Sequence, residues 1–250
     1  MRDINAFWYG PRLGPVHAAC LRSFLKFGYR VRLHVYDPPE DVPEGVELFD
    51  AETLLPRADA RPHKRSGSYA FASDIYRYRI LQAGLGVYVD CDVFCVKPLP
   101  DTSYLFGFEK EGRLNGAVLG APADSEFVSY LNGVTRLRAF VPPWEKKKKR
   151  MKLGIRAKLG LSIDPSSLPW GAFGPALVTH AAQTLGLMGE AQPIDVFYPL
   201  HYDHLSLLTE PDLSLSDIVT ARTTAIHLYN HKMSAADIPE NSPLGEILRA

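Results

Sequence analysis

The chain has 250 residues, 46% of them hydrophobic, and its 28 basic and 28 acidic residues give a formal net charge of +0. This length and apolar content suffice for one substantial core, so a single domain over residues 1–250 is expected. Because the net charge is zero, the protein as a whole does not attract the polyanion of a nucleic acid, and no nucleic-acid partner is expected. No apolar run approaches the roughly 20 residues of a membrane span.

The three cysteines are an odd number without C-x-x-C spacing: Cys20, Cys91 and Cys95. This pattern indicates small buried apolar side chains, with thiolate metal ligation as the weaker alternative. Reduced thiols, together with the lack of a secretory pattern, predict a cytoplasmic protein.

The first third of the chain alternates strand and helix patterns. Residues 4–9 predict a strand, residues 16–27 a helix and residues 31–36 a second strand. Strand, helix and strand in this order predict a parallel sheet with crossover helices. Ligands of such sheets bind beyond the carboxyl ends of the strands, where Trp8 and Tyr9 lie.

Residues 69–82 predict a helix, with Ser73 as its N-terminal cap. Apolar side chains recur in it at helical spacing. Asp74 and Arg77 are three residues apart and are therefore neighbours on the helix surface. They form either an ordinary surface ion pair, worth roughly 0.3–0.5 kcal/mol, or part of a site.

A short apolar strand at residues 87–89 leads into Asp90 and Asp92, and residues 93–96 resume an extended run. Alternate residues of a strand point to the same side, so the two carboxylates are expected to lie together. Burying two like charges is costly, and a divalent cation removes that cost. Oxygen ligands suit Mg²⁺ or Mn²⁺ held against a phosphate. By itself the pair is far more often a solvated turn than a metal site, and only its context favours the metal.

The pattern around this pair resembles a known family. Its elements are Ala72-Ser73-Asp74, Arg77-Tyr78, Leu81, Gly86, Tyr88-x-Asp90-x-Asp92 and Lys97-Pro98-Leu99. This order resembles the sugar-binding region with a DXD motif of glycosyltransferase family 32, which has the GT-A fold. The chain departs from the family at Leu85, which stands where the first glycine of the usual pair would be, and this puts the local turn in doubt.

The resemblance implies an α/β fold with a GT-A-like, Rossmann-type mixed sheet flanked by helices. It implies a metal-dependent, retaining hexosyltransferase that moves a sugar from a nucleotide-sugar to a glycan or lipid-linked acceptor, in polysaccharide or lipopolysaccharide biosynthesis. A UDP-sugar is the first choice of donor and GDP-mannose the second.

The resemblance also assigns roles to individual residues. Asp90, Asp92 and Arg77 are the catalytic set, and His227, on a predicted strand that ends in a polar loop, joins the two aspartates as a metal ligand. Imidazole nitrogen favours Mn²⁺ over Mg²⁺. The resemblance implies that six residues contact the nucleotide-sugar: Trp8, Tyr9, Asp74, Arg77, Tyr88 and Lys232. Two glycine-rich segments, at residues 114–122 and 170–179, resemble family segments at the donor sugar and at a helix start.

A basic helical insertion is expected near residues 142–160. Such a charge run is usually a solvated face or a disordered loop. Here large apolar residues interleave the cations: Trp144, Met151, Leu153, Ile155 and Leu159. The segment 144–159 is therefore expected to lie on an anionic membrane surface, at the inner face of the membrane, gaining about 1 kcal/mol per basic residue. An acidic glycan acceptor is the other option.

Two other functions remain open from the sequence. One is metal-dependent hydrolysis of a phosphoester or a glycoside, which needs a water-activating base near Asp92 that the sequence does not reveal. The other is a non-catalytic glycan- or membrane-binding module on the same fold. That module would neither depend on a metal nor bind a nucleotide.

Overall fold

The computed structural model describes residues 2–230 and 238–250. The fold is α/β. Its strands are β1 (Ile4–Trp8), β2 (Val31–Val35), β3 (Val46–Asp50), β4 (Val87–Val89), β5 (Val93–Cys95), β6 (Leu105–Lys110), β7 (Arg113–Gly120) and β8 (Ala225–His227). Its helices are α1 (Pro15–Lys26), α2 (Ala70–Gln82), α3 (Glu126–Thr135), α4 (Lys147–Lys158), α5 (Pro175–Thr184), α6 (Ile194–Phe197), α7 (Leu215–Ile218) and α8 (Pro243–Arg249).

The main sheet is mixed, as predicted. Within the described residues it has six strands in the order β3-β2-β1-β4-β7-β6. The first four run parallel, whereas β7 is antiparallel to both β4 and β6. A separate antiparallel pair joins β5 to β8. This arrangement is the GT-A-like fold expected from the sequence.

Two apolar cores lie on opposite faces of the main sheet. Along β4, Val87 and Val89 belong to one core and Tyr88 belongs to the other, as the alternation of a strand requires. The first core includes side chains of α1, α8 and the β5–β8 pair, and the second includes those of α2, α3 and α5. No helix in the described ranges combines the length and apolar character needed to cross a bilayer. All three cysteines are buried and free, which agrees with their predicted apolar role.

Two local predictions are corrected. Ser73 does not cap α2, because the helix begins at Ala70 with Tyr69 at its N-cap and no side-chain cap. The Ser73 hydroxyl instead lies 2.7 Å from the hydroxyl of Tyr88. Asp90 and Asp92 do not extend β4 either; they lie in the connection between β4 and β5.

The turn between α2 and β4 forms despite Leu85. Gly84 and Gly86 have φ angles of 66° and 117°, which favour glycine, whereas Leu85 has no positive φ. A Cβ at Gly86 would also collide with the backbone carbonyl of Asp3. Glycine is thus present where the backbone requires it, and the departure from the family pattern leaves the turn intact.

A buried polar network holds this turn against the sheet. Asn5 of β1 donates through Nδ2 to the Leu85 carbonyl at 2.9 Å and accepts through Oδ1 from His34 Nε2 at 2.9 Å. The second ring nitrogen of His34 accepts from the Tyr76 hydroxyl of α2 at 3.0 Å. Both nitrogens of a neutral imidazole are therefore satisfied. Burial lowers the pKa of His34 to about 3, and the charge of Arg32 adds to that shift.

The free energy of unfolding should consequently decrease as the pH falls. Between an unfolded pKa near 6.5 and the folded value, the unfolded chain binds a proton at His34 that the folded chain does not, so stability rises with pH. We expect a loss of up to about 1.4 kcal/mol per pH unit from this group below roughly pH 6. Denaturant unfolding of wild type and His34→Gln, compared between about pH 7 and pH 5, measures it. The variant should be less stable but show a shallower pH dependence, and equal slopes would contradict this account.

Candidate active site and metal centre

A cavity of about 690 Å³ opens beyond the carboxyl ends of β1 and β4. All the site residues predicted from the sequence, except Lys232, line it: Trp8, Tyr9, Asp74, Arg77, Tyr88, Asp90, Asp92 and His227. Lys232 lies outside the described residues. The sheet therefore gathers at one place side chains that come from distant parts of the chain.

The cavity contains a cluster of three residues that could hold a metal. One potential ligand atom from each of Asp90, Asp92 and His227 lies within 4.8 Å of the other two. His227 Nε2 is 3.2 Å from Asp92 Oδ1 and 4.0 Å from Asp90 Oδ2. The antiparallel register of β5 and β8 places His227 opposite Val93, and this pairing brings the imidazole beside the carboxylates.

Each carboxylate has one oxygen fixed by the protein. Asp90 Oδ1 accepts from Arg77 Nη2 at 3.0 Å and from the Tyr88 hydroxyl at 2.6 Å. Asp92 Oδ2 accepts from the backbone N–H of Asn230 at 2.9 Å. The other oxygen of each group is the one that lies nearest His227. This division directs the second oxygen of each carboxylate and one imidazole nitrogen toward a common point.

The backbone is strained where it approaches Asp92. Tyr229 has a φ of 48°, an uncommon value for a bulky residue. It directly precedes Asn230, whose N–H bonds to the carboxylate. The strain lies next to the contact that orients Asp92.

Asp92 and His227 stabilise each other's charged forms. Burial by itself would raise the pKa of Asp92, but the charge and hydrogen bond of His227 and the Asn230 N–H hold that pKa well below its ordinary value. Burial also opposes a charged imidazole, yet Asp92 and Asp90 raise the pKa of His227. His227 Nδ1 is buried and has no hydrogen-bond partner within residues 2–230 and 238–250. Two carboxylates and one imidazole form a donor set that suits Mn²⁺ better than Mg²⁺.

Asp74 and Arg77 form a buried ion pair, so the surface-pair interpretation is wrong. Arg77 Nη2 lies 3.2 Å from Asp74 Oδ1, and its guanidinium carbon lies 4.8 Å from the centre of the Tyr88 ring. Burial raises the pKa of Asp74 to about 7, and the charge of Arg77 offsets part of that rise. Arg77 thus bridges Asp74 and Asp90 and joins α2 to the cluster of Asp90, Asp92 and His227.

The two glycine-rich segments make room for this pair. A Cβ at Gly116 of β7 would lie 2.8 Å from Arg77 Nη1, and one at Gly174 would lie 2.6 Å from Asp74 Oδ1. Both distances are shorter than side chains tolerate. Glycine at these positions therefore allows the backbone to close over the ion pair.

Aromatic side chains cover another part of the cavity. The Trp8 ring lies 4.6 Å from the ring of His17, and Tyr9 stacks on Tyr69 with centroids 3.8 Å apart. Tyr202 also lines the cavity. Aromatic rings therefore form part of the cavity wall.

Sequence reasoning missed a polar group on the β6–β7 hairpin. Glu109 is 7% exposed and faces the cavity with Arg113 and Asn115. Its Oε1 lies 2.6 Å from Arg113 Nε and its Oε2 accepts from Asn115 Nδ2 at 2.6 Å. The available signal was the polar run 109–113, which contains Gly112 and lies between two apolar stretches, but it was not interpreted as a hairpin turn.

Comparisons with known proteins bear on the fold. No protein-family model and no curated protein matches the chain. Among solved structures, the chain is similar to one named PaToxG glycosyltransferase, with a TM-score of 0.50 and 14% sequence identity. The match covers 76% of this chain and 72% of that one. At this identity the similarity establishes the fold.

The hydroxyl of Tyr88 should matter to metal affinity although it is not a ligand. Tyr88→Phe removes the 2.6 Å bond to Asp90 Oδ1 and leaves that oxygen held by Arg77 alone of these two donors, so the carboxylate is less firmly oriented. Loss of such an outer hydrogen bond weakens metal binding by roughly 10- to 100-fold. Calorimetric titration with Mn²⁺ measures this effect.

The control is Tyr29→Phe. It removes another buried tyrosine hydroxyl, which accepts from the Leu99 N–H at 2.7 Å, far from the cavity. Mn²⁺ affinity should be unchanged in this variant. Equal affinity in the wild type and Tyr88→Phe would show that the hydroxyl does not orient the site.

Proposed function

We propose that the chain is a metal-dependent, retaining glycosyltransferase of the family 32 type, which moves a hexose from a nucleotide-sugar to a glycan or lipid-linked acceptor. A UDP-sugar is the donor proposed first. The observation that carries this proposal is the cluster of Asp90, Asp92 and His227, with ligand atoms within 4.8 Å, beside a cavity of about 690 Å³.

The fold and the motif support the same conclusion independently. The structural neighbour is named a glycosyltransferase, and the similarity spans about three quarters of this chain. The motif from Ala72 to Leu99 resembles the family pattern in sequence. Most of its polar members line the cavity: Ser73, Asp74, Arg77, Tyr88, Asp90 and Asp92. A cavity of this size suits a small molecule with both planar and charged parts.

The residues present fit a divalent cation. Asp90, Asp92 and His227 would hold it, and the nitrogen ligand makes Mn²⁺ the first choice. A bound cation supplies positive charge that stabilises the diphosphate as it leaves the sugar.

The protein's own groups would position the donor. Arg77 holds Asp90 in place and adds positive charge at the edge of the cluster. We assign sugar hydroxyls to Asp74 and the nucleotide base to Trp8 and Tyr9, where stacking contributes about 1–3 kcal/mol. Lys232 is proposed to meet phosphate as a point charge.

Hydrolysis is the weaker alternative. Glu109 is a further buried carboxylate in the cavity, but Arg113 and Asn115 occupy both of its oxygens. Asn115 Oδ1 in turn accepts from the Ala117 N–H at 2.8 Å. This chain of contacts suits a group that shapes the cavity rather than one that activates water.

The donor and the metal should bind together. With Mn²⁺ present, UDP at about 100 times its dissociation constant should raise the free energy of unfolding by roughly 2.7 kcal/mol. Chelation of the metal should abolish the gain, because the diphosphate would then face carboxylates without a counter-charge. Denaturant unfolding with and without Mn²⁺, with UDP and GDP compared, measures the effect. Equal stabilisation by UDP with and without metal would contradict the proposal.

Asp92→Asn should abolish most sugar transfer and most metal-dependent UDP binding, because it removes charge from the cluster while keeping the shape. The matched control is Asp101→Asn, since Asp101 is fully exposed and its cation neighbour Arg2 lies 3.9 Å away. Turnover of several nucleotide-sugars, followed by NMR of the product anomer, tests both transfer and retention. Full turnover by Asp92→Asn at limiting metal would refute the assignment. Release of free sugar at the same rate with and without acceptor would favour hydrolysis.

A further inference from the structure

The helix α4 and its C-terminal cap residue, Leu159, expose three large apolar side chains in one row. Met151, Ile155 and Leu159 are 64%, 54% and 69% exposed and follow one another at intervals of four residues. Residues at this interval lie above one another on a single face of a helix. Single exposed apolar residues are ordinary, but a row over three consecutive turns requires an explanation.

The opposite face of α4 packs on the protein, and this determines which way the apolar row points. Leu153 and Ala157 are partly buried and pack against the core that contains α2, α3 and α5. Just before the helix, the Trp144 ring lies 5.3 Å from His180 of α5 and 5.7 Å from Phe140. The helix is thus anchored on its inner side, and the apolar row faces outward.

Cations flank the exposed row on both sides. By helical position, Lys152 and Arg156 follow one edge, whereas Lys147 and Lys158 follow the other. Among the described residues, the one ion pair of this segment joins Lys149 to Glu145 at 3.0 Å, on the inner side. The outward cations therefore have no carboxylate partner in the described part of the chain.

We propose that α4 docks the protein on an anionic phospholipid bilayer. The apolar row would enter the boundary between headgroups and acyl chains while the flanking cations contact anionic headgroups. A bilayer surface is the occupant whose chemistry matches both features at once. A second copy of α4 would bring like charges together, and an acidic glycan would leave the apolar row in water.

This placement is compatible with the cavity but does not depend on the proposed reaction. The anchor residue Trp144 packs on α5, and Pro175 at the start of α5 lines the cavity. Docking through α4 would thus connect the lipid surface to the cavity through α5. Vesicle binding can succeed or fail whatever chemistry the cavity performs.

Vesicle sedimentation tests the proposal, with phosphatidylcholine vesicles and with vesicles that also contain phosphatidylserine. The wild type should bind the anionic vesicles, and binding should fall steeply as salt shortens the screening length from about 30 Å at low salt toward 8–10 Å. Binding to neither kind of vesicle, or equal binding to both, would overturn the proposal.

Two sets of substitutions separate the two features of α4. The first removes flanking cations from both edges: Lys147→Gln, Lys152→Gln and Arg156→Gln together. The second removes the apolar row: Met151→Gln, Ile155→Gln and Leu159→Gln together. Glutamine retains good helix propensity, so circular dichroism and thermal melting should match those of the wild type. Each set should lower the partition coefficient on anionic vesicles by at least roughly tenfold.

Matched controls remove the same groups elsewhere. Three exposed cations serve for the first set: Lys26→Gln, Arg61→Gln and Lys110→Gln. Two exposed leucines serve for the second: Leu48→Gln and Leu207→Gln. These controls should bind vesicles as the wild type does. An acidic glycan would replace the bilayer as the proposed partner if three results were found together. The apolar-row variant would bind vesicles fully, only the cation variant would lose binding, and heparin would capture the wild type.

Discussion

Repulsion between the carboxylates of Asp90 and Asp92 is the constraint on which the site depends. Both groups are largely shielded from water, so each charge needs a partner. Arg77 and Tyr88 bind one oxygen of Asp90, the Asn230 N–H binds one of Asp92, and the remaining oxygens lie near His227. The antiparallel pairing of β5 and β8 and the buried Asp74–Arg77 pair both contribute to this arrangement.

Much of the fold was predictable from the sequence, because the clearest patterns of apolar residues belong to the most buried strands and helices. The apolar strands β1, β2 and β4 and the helices α1 and α2 were predicted close to their observed bounds. The strand β3 was missed because it lies at the sheet edge, where residues such as Leu48 are exposed. The role of Ser73 was misjudged because a serine near a helix start is typical of a cap, whereas this one bonds to Tyr88.

The site was predictable where chemistry is concentrated in a short motif, and less so where it depends on distant pairing. The positions of Asp90, Asp92 and Arg77 came from one stretch of about 20 residues that resembles a known family. His227 came from the resemblance, and only strand pairing shows that it reaches Asp92. Glu109 and Arg113 could not be found in this way, because what brings them to the cavity is the β6–β7 hairpin.

The central claim is that Asp90, Asp92 and His227 together bind the divalent cation that accompanies the nucleotide. Anomalous diffraction at the manganese absorption edge, from crystals grown with Mn²⁺ and UDP, tests it directly. The account predicts one strong peak in contact with Asp90 Oδ2, Asp92 Oδ1 and His227 Nε2, with the diphosphate beside it. A well-ordered UDP in the cavity without a manganese peak at these three atoms would contradict it.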